Sequence, residues 1–400
     1  MPSHITPLAI TASTATSALG PGLQAHASAI ADGRSGLRPN TLSRSPLNCW
    51  LGRVPDLEQV RLPAAWRDWD SRNHRLAWLG LQQDGMLDHI ADLRLRYEPH
   101  RIALLVGTST ASIDMTEAAY RHGVATPDFG SPATAPTLHS PHALSSFLAR
   151  ILELAGPAMT ISTACSSSAK VFAHAERLLR LGLIDAAVVG GIDTLCDSVL
   201  FGFNSLELVS PEPCRPFDLD RQGISLGEAA GFAILERHGT APTAPRLLGY
   251  GESSDAWHMS SPRPDGMASE QAVRDALVRA GLEAADVGYV NLHGTASRKN
   301  DEAEAEMLAR VYPVTTRVSS TKAWTGHTLG AAGILEAILS LQVLESGLIP
   351  ANLGMRTPDP RCGAHFAWQQ EATTTGVVAS HSFGFGGSNL CLIFGRGEQA

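Results

Sequence analysis

Short apolar segments alternate with longer amphipathic segments along most of the chain. The runs Ile102–Val106, Ala186–Val189 and Ala230–Leu235 have the length and composition of buried strands. From Val171 to Leu179, apolar residues instead recur at the three- and four-residue spacing of a helix. This alternation predicts a layered α/β protein.

The turn-rich stretch His238–Arg246 is the clearest break in this pattern. It predicts a boundary between an N-terminal half, residues 1–240, and a C-terminal half, residues 241–400. The two halves have similar sequences of strands and helices, which suggests an internal duplication.

In each half, an apolar strand ends at a reactive side chain and gives way to a helix. In the first half, Met159–Ser162 is the predicted buried strand and Cys165 follows it. In the second half, the strand Tyr289–Leu292 leads to His293 and to a helix from about Asp301. We interpret these two segments as corresponding parts of the halves.

The composition of the chain argues against several classes of protein. With 44% hydrophobic and 18% charged residues in 400, the chain can bury a large core. The net charge of −8 and the scattered Lys and Arg residues give no support for nucleic-acid binding. The apolar runs considered above are shorter than the roughly 20 residues of a membrane span. The first residues predict a strand and a turn, not a signal peptide.

Six cysteines are scattered along the chain without a CxxC pair. This distribution favours a reduced cytoplasmic protein over a disulfide scaffold or a zinc site. The cysteines are Cys49, Cys165, Cys196, Cys214, Cys362 and Cys391.

Cys165 lies in the segment TACSSS, between the predicted strand and the predicted helix. Free N–H groups and the dipole at a helix start favour a thiolate and can hold an oxyanion. Small neighbours give a substrate close access, as in a nucleophile elbow. Taken alone, the segment is equally consistent with a buried structural cysteine.

Two histidines and a lysine stand in further segments that combine strand ends with small residues. His293 ends a strand before Gly294, and the segment STKAWTGHTLGAAG carries Lys322 and His327. A satisfied core histidine and a solvated lysine are the alternatives for these residues. The loop Gly384–Gly387 has no GxxxxGK[ST] pattern, which argues against a phosphate-binding loop.

Together, in this order, the segments resemble those of the β-ketoacyl-acyl-carrier-protein synthases, the thiolase-fold condensing enzymes with a Cys-His-His triad. The matching motifs are TACSSS, HGTAS with Asp301 and Glu304, STKAWTGHTLGAAG, SFGFGGSN, CRPFDLDRQGISLGEAAG, SSDAWHMSSPRPDG and IPANLGMRTPDP. The resemblance covers nearly the whole chain. It implies a thiolase-like αβαβα fold built from two similar halves.

The resemblance also implies a mechanism. Cys165 accepts an acyl group, and backbone N–H groups of Cys165 and Phe385 form the oxyanion hole. His293 and His327 stabilise the enolate that remains when a malonyl thioester loses carbon dioxide. The family lysine corresponds to Lys322, with Glu336 as its expected ionic partner.

Other positions are assigned by the same resemblance. Asp301 and Glu304 support the first histidine, and Thr295 and Ser297 contact the pantetheine arm. Phe383 belongs to the substrate-binding loop. The segment GTSTAS at residues 107–112 is expected to line the acyl pocket with Thr110, a feature more typical of specialised type II systems such as those that make aryl polyenes.

The substrates are therefore expected to arrive on the phosphopantetheine of an acyl carrier protein, without a metal or redox cofactor. The family resemblance implies a homodimer or a heterodimer with a related subunit. Three alternatives stay open: a non-catalytic chain-length-factor-like subunit, a degradative thiolase, and a fragment of a modular polyketide synthase. The presence of Cys165, His293 and His327 argues against the first.

Overall fold

A large mixed sheet organises the molecule. The computed structural model describes residues 4–125, 139–362 and 366–398. The described strands are β1 Leu8–Ser17, β2 Gly20–Pro21, β3 Arg38–Pro39, β4 Trp50–Gly52, β5 Ile102–Gly107, β6 Ala158–Ile161, β7 Ala186–Asp193, β8 Leu226–Gly227, β9 Ala229–Arg237, β10 Arg246–Ser254, β11 Tyr289–Asn291, β12 Arg317–Ser319, β13 Leu348–Ile349, β14 Glu371–Ala372, β15 Val377–Gly384 and β16 Ser388–Gly395.

Helices connect most of these strands. The described α-helices are Leu23–Ala31, Arg72–Leu81, Met86–Arg96, Ile113–Ala125, Ala143–Ile151, Ser167–Arg180, Asp197–Ser205, Met267–Ala280, Arg298–Val311, Lys322–Thr325 and Ala332–Ser346. We call Ser167–Arg180 the nucleophile helix and Ala332–Ser346 the core helix.

The order of strands repeats in the two halves. The sheet runs β12-β11-β15-β16-β10-β1-β9-β7-β5-β6, with β2 paired to the end of β1. Numbered within its own half, each set of five strands has the order 3-2-4-5-1, counted inward from the edge. The strands β10 and β1 meet antiparallel in the middle, and the stretch His238–Arg246 connects β9 to β10.

This repeat corrects the correspondence inferred from the sequence. The strand before Cys165 is β6, the third of its half, and its counterpart is β12, which leads to Lys322 and His327. The strand before His293 is β11, whose counterpart is β5. Each of these strands does lead to a reactive residue, but such a strand occurs more than once in the molecule, so the pattern alone does not identify counterparts.

Side chains alternate between two cores on opposite faces of the strands. In β5, Ala103 and Leu105 join the central core, whereas Leu104 and Val106 join an outer core with Leu76. The same alternation divides β16 between the central core and the outer core of the second half.

The nucleophile helix and the core helix contribute to the central core between the two halves. The layers are therefore helices, sheet, two central helices, sheet and helices. The predicted αβαβα arrangement is confirmed.

The segment Leu329–Ser346 is long and apolar enough to pass a composition test for a membrane span, but 83% of it is buried inside the protein. Its apolar residues face neighbours on all sides, as expected for a helix in the middle layer.

One predicted feature is wrong in part. The strand before Cys165 was expected to be buried, yet β6 lies at the edge of the sheet and Met159 is 40% exposed. An apolar run of four residues does not reveal whether the strand has a neighbour on both sides.

Candidate active site

Cys165 occupies a sharp corner between β6 and the nucleophile helix. Ala164 just before it has a φ of 51°, a left-handed conformation that is costly for a residue with a side chain. The Ser167 hydroxyl, at the first position of the helix, donates to the Ala164 carbonyl at 2.5 Å and accepts from the Thr163 N–H at 2.9 Å. These bonds hold the corner, so that the thiol is presented at the helix start.

His327 faces the thiol directly. Its Nε2 atom lies 2.9 Å from the Cys165 Sγ atom. Its Nδ1 atom accepts the Leu329 N–H at 3.3 Å. Since Nδ1 is an acceptor, the proton of the neutral ring is on Nε2 and points toward the sulfur.

His293 completes the group from the other side. Its ring stands perpendicular to that of His327, with 5.5 Å between the ring centroids. The ammonium of Lys322 lies 3.4 Å from the Nδ1 atom of His293 and contacts the His293 carbonyl oxygen. An ammonium only donates, so Nδ1 is the acceptor and Nε2 again carries the proton.

Both imidazoles are held neutral. Burial is the main cause that lowers the pKa of His293 and of His327 well below the usual value, and the charge of Lys322 acts in the same direction. The site therefore presents two neutral N–H donors near one sulfur atom.

Lys322 is almost fully buried and forms an ion pair with Glu336 of the core helix. Burial raises the pKa of Glu336 to about 7, against the opposing effect of Lys322. The sequence-predicted partners are thus in contact, and a solvated surface lysine is excluded.

The thiol itself is less acidic than its place at a helix start suggests. Burial raises the pKa of Cys165 to about 11, although Lys322 and the Phe385 N–H both act to lower it. Desolvation outweighs these groups, so the resting side chain is a thiol.

The turn between β15 and β16 brings Phe385 to the sulfur. Its N–H lies close enough to the sulfur to lower the pKa of Cys165, which brings the predicted oxyanion donor to the site. The ring of Phe385 stacks on Phe203 with 5.6 Å between centroids, and Phe383 packs 5.9 Å from the ring of His293.

Two carboxylates hold the turn after His293. Glu304 accepts the N–H groups of His293 and Gly294 at 2.9 and 2.8 Å. Asp301 accepts the N–H of Phe217 at 2.8 Å and that of Ala296 at 3.2 Å. Both carboxylates therefore fix the backbone around the site, and neither faces the Cys165 thiol.

A cavity of about 550 Å³ opens onto this group. Its walls include Cys165, His293, His327, Thr295, Ser297, Phe383 and Phe385. The hydroxyls of Thr295 and Ser297 are 2.9 Å apart. Thr110, which was predicted to line the acyl pocket, is not among the residues that line this cavity, and its hydroxyl donates to Asp193 at 2.8 Å.

The same three residues form the one group of potential metal ligands found among the described residues. The Cys165 sulfur and one nitrogen each from His293 and His327 lie within 4.8 Å of one another. Donors around a tetrahedral zinc ion, each at about 2.0–2.3 Å from the metal, are separated by roughly 3.3–3.8 Å. The Cys165 Sγ atom and the His327 Nε2 atom, at 2.9 Å, are closer than this, and the Lys322 ammonium opposes a second cation. The arrangement favours a thiol with two proton donors.

Sequence reasoning missed two supporting residues. His381 lies behind Glu304, with Nδ1 at 3.1 Å from the carboxylate, and its Nε2 is 3.2 Å from the Tyr312 hydroxyl. Asp255 accepts from the Asn389 side chain at 2.6 Å and fixes the glycine turn through its own N–H to Gly387. The only signals for these contacts were the position of His381 directly before the motif SFGFGGSN and that of Asp255 inside the motif SSDAWHMSSPRPDG.

Comparison with known proteins identifies the family. Residues 75–241 match the N-terminal domain of β-ketoacyl synthases, and residues 245–356 match the C-terminal domain. Nodulation protein E of Rhizobium meliloti is 34% identical over 304 residues, which cover 74% of this chain and 75% of that protein.

Solved structures give the same result. A chain in the structure of a ketosynthase with its chain length factor from Xenorhabdus doucetiae is 38% identical, with a TM-score of 0.90 and 98% of each chain covered. The ishigamide ketosynthase/chain length factor is 27% identical, with a TM-score of 0.91 over 98% of this chain and 100% of that one. The fold is therefore thiolase-like, and the chain belongs to the β-ketoacyl synthase family.

Proposed function

We propose that this chain catalyses the decarboxylative Claisen condensation of an acyl group held on Cys165 with a malonyl thioester on an acyl carrier protein. The observation that carries the proposal is the geometry at the sulfur. A thiol, two neutral imidazole N–H donors and the Phe385 N–H converge at one end of a single cavity.

In the first half-reaction, the Cys165 thiol gives up its proton, which ends on the departing pantetheine sulfur, and the thiolate attacks the carbonyl carbon of the acyl thioester. The new C–S bond forms, the bond to the pantetheine sulfur breaks, and the carrier leaves with a free thiol. The N–H groups of Cys165 and Phe385 bind the transient oxyanion.

In the second half-reaction, the bond between the malonyl carboxylate and the methylene carbon breaks, and carbon dioxide leaves. The electron pair forms an enolate, whose oxygen accepts the Nε2–H groups of His293 and His327. The carbanion attacks the acyl carbonyl, the bond to Cys165 breaks, and the β-ketoacyl product leaves on the carrier. These steps call for no metal or redox cofactor.

The proposal of a partner subunit rests mainly on proteins of similar structure. The titles of two similar structures name a ketosynthase with its chain length factor. Together with the exposed edge of β6, they support a dimer with a second copy or with a related subunit. We place the action of this chain in the cytoplasm, a proposal supported by the six cysteines, all of which are free thiols.

The non-catalytic alternative is a chain-length-factor-like subunit. It lacks support from the site, because the nucleophile, both imidazoles and the buried lysine are present and in contact. The hydroxyl-rich segment at residues 108–110 supports a specialised type II system, such as an aryl polyene pathway, as the setting for the reaction.

Intact-protein mass spectrometry tests the proposal. The chain, with its partner where one is needed, is incubated with a panel of acyl-carrier thioesters and then with malonyl-carrier. We expect an acyl mass on Cys165 that disappears as a β-ketoacyl-carrier forms. Cys49→Ala, a buried cysteine in another core cluster, is the matched control for Cys165→Ala. If Cys165→Ala supports condensation as well as Cys49→Ala does, the proposal is wrong.

A further inference from the structure

A single buried carboxylate gathers six hydrogen bonds beside the active site. Asp193, the last residue of β7, is fully buried. Its Oδ1 atom accepts from the Thr108 hydroxyl at 2.6 Å, the Thr110 N–H at 3.0 Å and the Thr110 hydroxyl at 2.8 Å. Its Oδ2 atom accepts from the Ser109 N–H at 2.8 Å, the Ser109 hydroxyl at 2.6 Å and the Gly330 N–H at 2.6 Å.

These donors take the place of a cation. Within the described part of the chain, no Lys, Arg or His forms an ion pair with Asp193. A buried ionised carboxylate is costly unless its oxygens are satisfied, and two oxygens offer about four lone-pair positions. The six donors therefore use all the hydrogen-bonding capacity of the Asp193 carboxylate, and the carboxylate in turn holds each of these groups in place.

The donors come from the two halves of the molecule. Thr108, Ser109 and Thr110 follow β5 in the first half, whereas Gly330 lies in the turn Leu329–Ala331 just before the core helix in the second half. A Cβ atom at Gly330 would lie 2.5 Å from the Ser109 nitrogen and 2.7 Å from the Asp193 Oδ2 atom. Only glycine allows this approach.

The Gly330 end of the cluster adjoins the reactive histidine. Gly330 follows Leu329, whose N–H binds the Nδ1 atom of His327 and keeps the ring proton on Nε2. Leu329 has a φ of 57°, so its conformation is imposed by its surroundings. The bond from Gly330 to Asp193 is one of the contacts that impose it.

We propose that Asp193 is a positioning residue that links residues 108–110, the segment expected from the family resemblance to contribute to the acyl pocket, to the orientation of His327. This inference rests on the proposed condensation and deepens it. A change in the groups bound to one carboxylate oxygen shifts the groups bound to the other. The choice of acyl group and the stabilisation of the enolate are therefore coupled.

The test uses Asp193→Asn in the full chain, with any partner subunit. An asparagine side chain has one oxygen and one NH₂, and the NH₂ cannot accept a hydrogen bond. Two quantities are measured: the rate of malonyl-carrier decarboxylation, which reports on His327, and the relative loading of a panel of acyl groups on Cys165. We expect decarboxylation to fall by about tenfold or more, because a small misplacement of a catalytic group has effects of this size. We also expect the loading preference to change.

Glu236→Gln is the matched control. Glu236 is another buried carboxylate, at the far end of β9, bound to Arg96 and Tyr97. Its replacement is expected to lower the melting temperature without changing the acyl preference or the ratio of decarboxylation to loading. If Asp193→Asn behaves in the same way as this control, Asp193 is only structural and the inference is overturned.

Two milder variants keep the inference testable if Asp193→Asn does not fold. Thr110→Ala removes one hydroxyl donor on the acyl side, and Ser109→Ala removes one donor that also lies 3.0 Å from the Gly330 N–H. Each is expected to change both the acyl preference and the rate of decarboxylation. A change in only one of the two, in both variants, contradicts the coupling. Failure of the wild-type chain to load any acyl group would instead contradict the proposed function.

Discussion

The Nε2 atom of His327 lies 2.9 Å from the Sγ atom of Cys165, although the two residues are 162 positions apart in the chain. The strands β6 and β12 hold the third place in their halves, and each leads into one of these residues. Because the halves pack face to face around two central helices, their third-strand corners meet. The reactive pair is therefore a product of the repeated strand order.

Replacement of one imidazole is expected to affect the second half-reaction most. His327→Asn removes an N–H donor aimed at the developing enolate, and loss of such a donor costs ~3 kcal/mol, or about two orders of magnitude in rate. We expect malonyl-carrier decarboxylation, measured as released carbon dioxide, to fall by this amount. His293→Asn should have an effect of similar size.

His100→Asn serves as the control for both variants, since His100 is exposed and lies outside the cavity lining. Decarboxylation that survives unchanged in His327→Asn and in His293→Asn would rule out the assigned role of the two rings.

The pKa of Cys165 predicts how its reactivity depends on pH. Since burial raises this pKa to about 11, the thiolate fraction should rise about tenfold for each pH unit between 7 and 9. The rate of alkylation by iodoacetamide, followed as mass added at Cys165, should rise with the same slope. Cys165→Ala gives the background from the other cysteines. A rate that levels off below pH 8 would show that the helix start and Lys322 outweigh burial.

The ion pair between Lys322 and Glu336 predicts a large effect on stability. Glu336→Gln leaves a buried ammonium without its carboxylate, and loss of one partner of a buried pair typically costs about 3–5 kcal/mol in the free energy of unfolding. Urea denaturation measures this change. Glu345→Gln, at an exposed position near the end of the same helix, should change the free energy of unfolding by less than about 0.5 kcal/mol. Equal stability of the two variants would contradict the prediction.

Contact between the two central helices depends on glycine. A Cβ atom at Gly333 would lie 2.5 Å from the nitrogen of Ala169, so Gly333→Ala forces the helices apart. We expect a loss of about 1–3 kcal/mol in the free energy of unfolding, measured in urea.

Gly202→Ala provides a contrast inside another helix. Among the described residues, no atom outside its chain neighbours and its own helix backbone lies within 4 Å of a Cβ built at Gly202, so the alanine should stabilise the helix Asp197–Ser205 by about 0.5–1 kcal/mol. If Gly333→Ala instead raised the free energy of unfolding, the two central helices would not be in close contact at this position, and the prediction would be wrong.

Much of the fold could be predicted from local patterns. Strands such as β5 and β9 are continuous apolar runs, and the nucleophile helix shows the three- and four-residue period of its apolar side chains. The edge position of β6 could not be predicted, because the number of neighbouring strands is a property of the tertiary structure. The correspondence of the halves was misjudged for the same reason, since strand order cannot be read from a linear pattern.

The site was only partly predictable. Cys165, His293, Lys322 and His327 stand in distinctive motifs, and the structure brings all four together. Asp193 gave a weak signal, a single acidic residue at the end of an apolar strand, and its six donor groups belong to residues 108–110 and to Gly330, which are distant from it in the chain. The high pKa of Cys165 depends on burial in three dimensions, which a helix start in the sequence cannot convey.

The shared position of β6 and β12 also bears on how such a molecule could arise. One repeat by itself would carry either a nucleophile or the residues that assist it, never both facing each other. An ancestor with a single repeat would have needed a second copy to bring two equivalent corners together. Fusion of the two copies would then have allowed the corners to diverge, one to carry the Cys165 thiol and the other the His327 imidazole.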